Sequence, residues 1–283
     1  MNVTLNVLET PSGKDSDYEN FPVGSWILPA QLRPHIYIYY QFARAIDDIA
    51  DNPDLSSDDK ITRLNAFADV LAGNQGPTMV KTAQNMRASL LETGVSFDHC
   101  LDLIKAFKLD AVKNRYQDWQ QLIDYCMLSA APVGRYLIDL HGGTRNGYAA
   151  SDALCCALQI INHLQDCSED FKQMDRVYLP KNWMGEFGAT VDDLNKPIIT
   201  PALRLVFNEI LKSTEHLMIK ACPIVRDIKS HRLAMESGSI IAIANRLIIH
   251  LTSRDPMAEK VKLNKFEYIL CCVKGSVKAL AQR

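Results

Sequence analysis

Two short stretches carry most of the chemistry this sequence can offer. "NHLQDCSED" at 162–170 sets Asp166 and Asp170 one helical turn apart, and "ARAIDDIAD" at 43–51 does the same with Asp47 and Asp51. Like charges at i,i+4 cost a helix roughly 0.2–0.5 kcal/mol per pair, so two such pairs imply a purpose that offsets the cost. Facing carboxylates make an oxygen-rich site for a hard cation. Mg²⁺ suits it, because that ion takes one or two carboxylates and completes its octahedron with water and substrate phosphate oxygens. Solvated aspartates would explain either pair alone; their repetition favours the metal.

On a helix, positions three and four apart share a face. Gln159, Asn162, Asp166 and Asp170 then form one polar stripe between Leu158, Ile160, Ile161 and Leu164. Tyr40, Arg44, Asp47 and Asp51 form another between Phe42, Ala43, Ile46 and Ile49. The sequence has no Glu-x-x-His pair of the kind a di-iron bundle uses. It has no Walker or G-x-G-x-x-G phosphate cradle either, since "GGTRNG" follows no strand pattern. A diphosphate would therefore be held through metal and cations. Arg44, Lys113, Arg115, Lys172 and Arg176 are the candidates, and a surface role accounts for each of them equally well.

The elements that must position these stripes are helices. Nearly every long segment has helical periodicity, and the breaks are short: "DNPDLSS" at 51–57, "GNQGP" at 73–77, "HGGTRNG" at 141–147 and "SRDP" at 253–256. Ser57, Ser96 and Asp118 are placed to cap helices, and Gly73 and Gly142 to end them. In "WQQLIDYCMLSAAPVGRYLIDL" the spacing predicts one helix kinked at Pro132, with Ser129, Ala130 and Gly134 leaving room along its face. With 283 residues, 47% of them hydrophobic, the chain can bury a large core. No break is long or polar enough for a linker. The expectation is an all-α, single-domain bundle over residues 1–283 with a central cavity, residues 1–17 forming a flexible extension.

A formal charge of −2 gives no general attraction to nucleic acid. From Arg254 to Arg283 seven Lys/Arg stand against three Asp/Glu, a local excess that suits a membrane face or a solvated helix. The eight cysteines form no C-x-x-C pair and read as reduced core thiols. No signal-peptide pattern and no membrane-length apolar run appears, which points to a cytoplasmic protein, peripheral to a membrane at most.

Three segments, "YYQFARAIDDIAD" at 39–51, "YCMLSAAPVGR" at 125–135 and "ALQIINHLQDCSEDFKQMDRVYLP" at 157–180, resemble the head-to-head trans-isoprenyl synthases, the squalene and phytoene synthases. The likeness runs through most of the chain. Within that family "YENFPVGSWILPAQLRPHIYIYYQFARAIDDIAD" at 18–51 is most similar to the bacterial hydroxysqualene synthases of hopanoid biosynthesis. The resemblance implies that Asp47, Asp51, Asp166 and Asp170 coordinate a Mg²⁺–diphosphate cluster with Asn162 assisting. It further implies that Arg44 and Arg176 hold the diphosphate of a prenyl substrate, and that Tyr40, Tyr125 and Gln159 line the reaction chamber. Phe21, Phe42, Phe107 and Tyr178 are further wall candidates on chemical grounds, because aromatic faces stabilise a carbocation; plain core explains them too.

The chain departs from the condensing relatives where it reads Asn20–Phe21–Pro22–Val23, in place of their His/Ser-Lys/Ser-Phe segment. The implied reaction is conversion of presqualene diphosphate and water to hydroxysqualene, alongside other enzymes of the squalene and hopanoid pathway. Head-to-head condensation to presqualene diphosphate, squalene or phytoene, and a non-catalytic helical scaffold of the same fold, are the alternatives.

Overall fold

A computed structural model of the chain describes residue 9, residues 26–74 and residues 80–283. Phe21 and the start of the segment that carries the branch resemblance, residues 18–25, lie outside the described residues, as does the expected 1–17 extension apart from residue 9. Among the described residues the predicted all-α class holds: β pairing is limited to one isolated parallel bridge between Arg115 and Val177. Backbone contacts divide the chain into two compact units, residues 1–113 and 114–283.

The first unit holds α1 (Arg33–Asp51), α2 (Ser57–Ala72), α3 (Lys81–Thr93) and α4 (Asp98–Asp110). α1 packs on the other three, burying Ile36, Tyr39, Phe42, Ile46, Ile49 and Ala50 at helical spacing. Phe42 is fully buried, its ring centroid 5.9 Å from that of Phe67, and is therefore core. This apolar stripe leaves the polar one half-buried. Helix α2 is capped by Ser56, which accepts from the Asp59 N–H at 3.2 Å, one residue earlier than the sequence suggested. Ser57 instead donates its hydroxyl to the Ala111 carbonyl at 2.6 Å, tying the start of α2 to the end of α4. Gly73 closes α2 in the left-handed region, as expected (φ 87°).

The second unit contains α5 (Trp119–Ser129), α6 (Ala131–Leu140), α7 (Tyr148–Met174), α8 (Lys181–Phe187), α9 (Pro201–Ala221), α10 (Ile224–Asp227), α11 (His231–Ser253) and α12 (Lys265–Ala281). Asp118 opens α5 by accepting from the Gln121 N–H at 2.9 Å. The expected kinked helix over 119–140 is two helices, divided at Ala130 (φ −123°, ψ −45°). Pro132 stands in the first turn of the new helix, where its missing N–H costs nothing. Gly134 does not leave room either: a Cβ there would collide with Ser151 Oγ and sit 2.8 Å from Cys155 Sγ, so the glycine lets α6 close on α7.

Long α7 is the unit's centre, packed by α5, α6, α9 and α11. It ends at Asp175 in the left-handed region (φ 52°), which Asp tolerates better than most residues. The chain then turns so that the Val177 N–H donates to the Asn114 carbonyl at 2.9 Å. Arg115 fastens this turn, with Nη2 donating to Asp175 Oδ1 at 2.5 Å and Nη1 to the Asp175 carbonyl. That contact gives Arg115 a structural role in this turn. Cys100, Cys126, Cys156 and Cys167 are buried thiols as expected, whereas Cys222 is exposed. No helix among the described residues is long and apolar enough to cross a membrane.

Candidate active site

On α1, Arg44 reaches two carboxylates at once: Nη1 lies 2.9 Å from Asp47 Oδ2 and Nη2 lies 3.1 Å from Asp48 Oδ1. Asp47 is nonetheless raised well above the ordinary carboxylate range. Burial is the main cause, the Asp51 charge adds to it, Arg44 opposes it, and Asp110 and Asp48 contribute further repulsion. The Asp47 side chain is still 26% exposed, so solvent reaches the carboxylate. Asp47, Asp48, Asp51 and Asp110 thus gather four carboxylates that act on one another around Arg44. Asp48 and Asp110 were missed in the sequence. A buried acid, Asp110, at the end of amphipathic α4 was a readable signal; Asp48 had none beyond adjacency. Tyr40 is half-buried one turn before Arg44.

On α7, Gln159, Asn162, Asp166 and Asp170 are all half-buried while their neighbours Ile160, Ile161, Leu164 and Cys167 are buried. Burial and then the Asp170 charge push the Cys167 thiol up to about 12, which keeps it protonated. Beside the stripe stands an aromatic box. His163 stacks on Tyr178 with centroids 3.6 Å apart, Tyr125 lies 5.6 Å from Tyr178, and Tyr116 lies 5.3 Å from Tyr125. Burial and then the positive charge of Arg176 push His163 down to about 3. The ring is neutral, so its Nε2 can accept from the Gln159 amide at 3.3 Å.

Thus the second unit brings Tyr125, Gln159, Tyr178 and Arg176 around His163, a residue not singled out in the sequence. Its signal was its position one turn after Gln159. Arg176 is itself buried, with Nη1 3.4 Å from Met174 Sδ. Lys172 is exposed near the end of α7, and Phe107 and Lys113 are half-buried in the first unit. One turn beyond Tyr125, on the same face of α5, the Oγ of Ser129 is buried with no hydrogen-bond partner among the described residues.

Among the described residues, no three His, Cys, Asp or Glu side chains close into a metal cage. Mg²⁺ does not ask for one, because it is ordinarily held by one or two carboxylates together with phosphate oxygens and water. An all-oxygen donor set in which Asp47 stays raised despite Arg44 fits that ion.

The fold is that of the helical isoprenoid synthases. It is shared with the crystal structure of squalene synthase HpnC from Alicyclobacillus acidocaldarius, at a TM-score of 0.72 and 29% identity over 83% of this chain and 88% of that one. A dehydrosqualene synthase structure gives a TM-score of 0.78 at 19% identity, over 94% of this chain and 93% of that one, a likeness of fold alone. The chain belongs to the squalene/phytoene synthase family, whose model matches residues 15–267. Among curated relatives it is 41% identical to the hydroxysqualene synthase of Rhodopseudomonas palustris, over 93% of this chain and 89% of that protein. It is 39% identical to that of Zymomonas mobilis, over 93% and 89%.

Proposed function

We propose that this chain converts presqualene diphosphate and water into hydroxysqualene and diphosphate. The observation that carries the reading is likeness along nearly the whole chain to hydroxysqualene synthases at 36–41% identity, against 25% for a phytoene synthase matched over a similar length. In the reaction the C–O bond to diphosphate breaks and the electron pair leaves with the diphosphate. The carbocation rearranges, and water supplies the new C–O bond and gives up one proton.

Asp47, Asp51, Asp166 and Asp170, assisted by Asn162, would hold Mg²⁺, which when bound offsets the negative charge of the departing diphosphate as a Lewis acid. Arg44 and Arg176 orient the diphosphate. Tyr40, Tyr125 and Gln159 line the reaction chamber, where an aromatic face is worth about 0.5–2 kcal/mol to a neighbouring cation. A neutral His163 adds no repulsive charge there and fixes the Gln159 amide; the low pKa and the 3.3 Å contact support this role. The unpartnered Ser129 hydroxyl supports that residue as the group that holds the attacking water. Residues 1–283 act in this reading as one catalytic domain at the cytoplasmic face of a membrane, beside other enzymes of the squalene and hopanoid pathway.

Head-to-head condensation of prenyl diphosphates is the second reading, supported by the 29% identity to a squalene synthase. The experiment that separates them supplies presqualene diphosphate with Mg²⁺ in ¹⁸O-labelled water, without NADPH. The proposal expects a labelled C30 alcohol. Conversion of farnesyl diphosphate to presqualene diphosphate, with no alcohol from the latter, would overturn it in favour of condensation.

A further inference from the structure

The last helix is fixed on one side and open on the other. α12 lies on α11 through a glycine pair: a Cβ on Gly275 would strike the Gly238 backbone, and one on Gly238 would come within 2.5 Å of the Gly275 carbonyl and 2.8 Å of Ala279 Cβ. Ser276 reinforces the contact, its hydroxyl 2.8 Å from that of Ser239. Away from this seam, Phe266, Ile269, Leu270, Val273, Val277 and Leu280 are between 38% and 75% exposed. At 100° per residue these six fall within one sector of about 100° and span about 21 Å of helix. Isolated exposed apolar residues are ordinary; a continuous stripe of large ones marks a contact surface.

Charge decides what covers it. Lys274 and Lys278 flank the stripe on one side and Lys265 on the other, all exposed and without an ion pair among the described residues. The helix has one acidic residue, Glu267, and Arg246 and His250 already occupy it at 2.5 Å and 3.0 Å. Burial of this stripe against a second copy would bring lysines together with no acid to pair them. An apolar band edged by unpaired lysines is instead the composition of a helix that lies in a bilayer interface, its apolar side among acyl chains and its cations among anionic headgroups.

We propose that α12 docks the protein flat on an anionic lipid bilayer. This goes beyond the catalytic reading by naming the surface and the lipid charge it requires. The test is co-sedimentation of the full chain with vesicles of phosphatidylcholine alone and of phosphatidylcholine with one quarter phosphatidylglycerol. No prenyl diphosphate is present, so the result stands or falls apart from the reaction. Wild type is expected to bind the anionic vesicles at least about tenfold more tightly, with each lysine worth about fivefold.

Val273→Asp/Val277→Asp, both at exposed positions, is expected to lower binding at least about tenfold with helicity unchanged. Lys274→Glu/Lys278→Glu is expected to remove the preference for anionic lipid. Equal binding to both vesicle types, or variants that bind as wild type does, would overturn the proposal. So would a solution dimer that the Val273→Asp/Val277→Asp substitution dissociates, which would assign the stripe to self-association.

Discussion

On α1 the aspartate pair sits among other charges: Arg44 spans Asp47 and Asp48, while burial first, and then repulsion from Asp51 and Asp110, raises Asp47. On α7 the pair closes a stripe of amides beside an aromatic box, in which His163 is held neutral. One D-x-x-x-D spacing is thus used in two settings. The α1 pair concentrates charge that a cation can relieve. The α7 pair sets its carboxylates in line with Gln159, whose amide meets the ring of His163.

The largest effects should come from the feature the two regions share. Asp47→Asn, Asp51→Asn, Asp166→Asn and Asp170→Asn are each expected to lower Mg²⁺-dependent diphosphate release by roughly 10²–10³-fold, with circular dichroism unchanged. Chelation of Mg²⁺ should do the same to wild type. Full turnover in an α1 variant alone would show that only the α7 pair serves the metal.

The next effect belongs to α7 only. Tyr125→Ala and Gln159→Leu are expected to change the ratio of products while leaving diphosphate affinity near wild type. Unchanged ratios in both variants would reduce the aromatic box to packing.

What the sequence made legible follows from how local each feature is. The two stripes were readable because i,i+4 geometry needs nothing beyond the helix itself, and Asp118 and Gly73 act where their residue types suggested. The division at Ala130 was hidden, because apolar periodicity runs on through it and a proline suits a helix start as well as a kink. The box was hidden for a different reason. Tyr116, Tyr125, His163 and Tyr178 come from separate segments, joined only once the turn after Asp175 is fastened by Arg115. Gly238 and Gly275 likewise acquire meaning only when two helices cross.

Acidification should move the two regions in opposite directions. A raised Asp47 means the folded state binds a proton more readily than the unfolded chain, so this group favours folding increasingly as pH falls through its raised pKa toward the ordinary 3.8. His163, at about 3 against an ordinary 6.5, binds its proton more readily when unfolded, so its contribution declines as pH falls from about 6.5 toward 3. Hydrogen exchange between pH 7 and 5, corrected for intrinsic rates, should show α7 losing protection relative to α1. His163→Phe should remove the α7 trend; loss of protection in α1 first would reverse the assignment.

The smallest effect is thermal. Removing one like charge by Asp47→Asn should raise the melting temperature of the metal-free protein by roughly 0.5–2 °C, and a fall would mean that the Arg44 pair outweighs the repulsion.

The central claim is that both aspartate stripes serve one reaction. A double-mutant cycle on Asp47→Asn and Asp166→Asn, read as Mg²⁺-dependent diphosphate release, tests it most directly. Groups that act as a unit lose little more together than either loses alone. The double variant is therefore expected to fall within about tenfold of the weaker single variant. Losses that multiply across the two substitutions would contradict the claim and make the stripes independent.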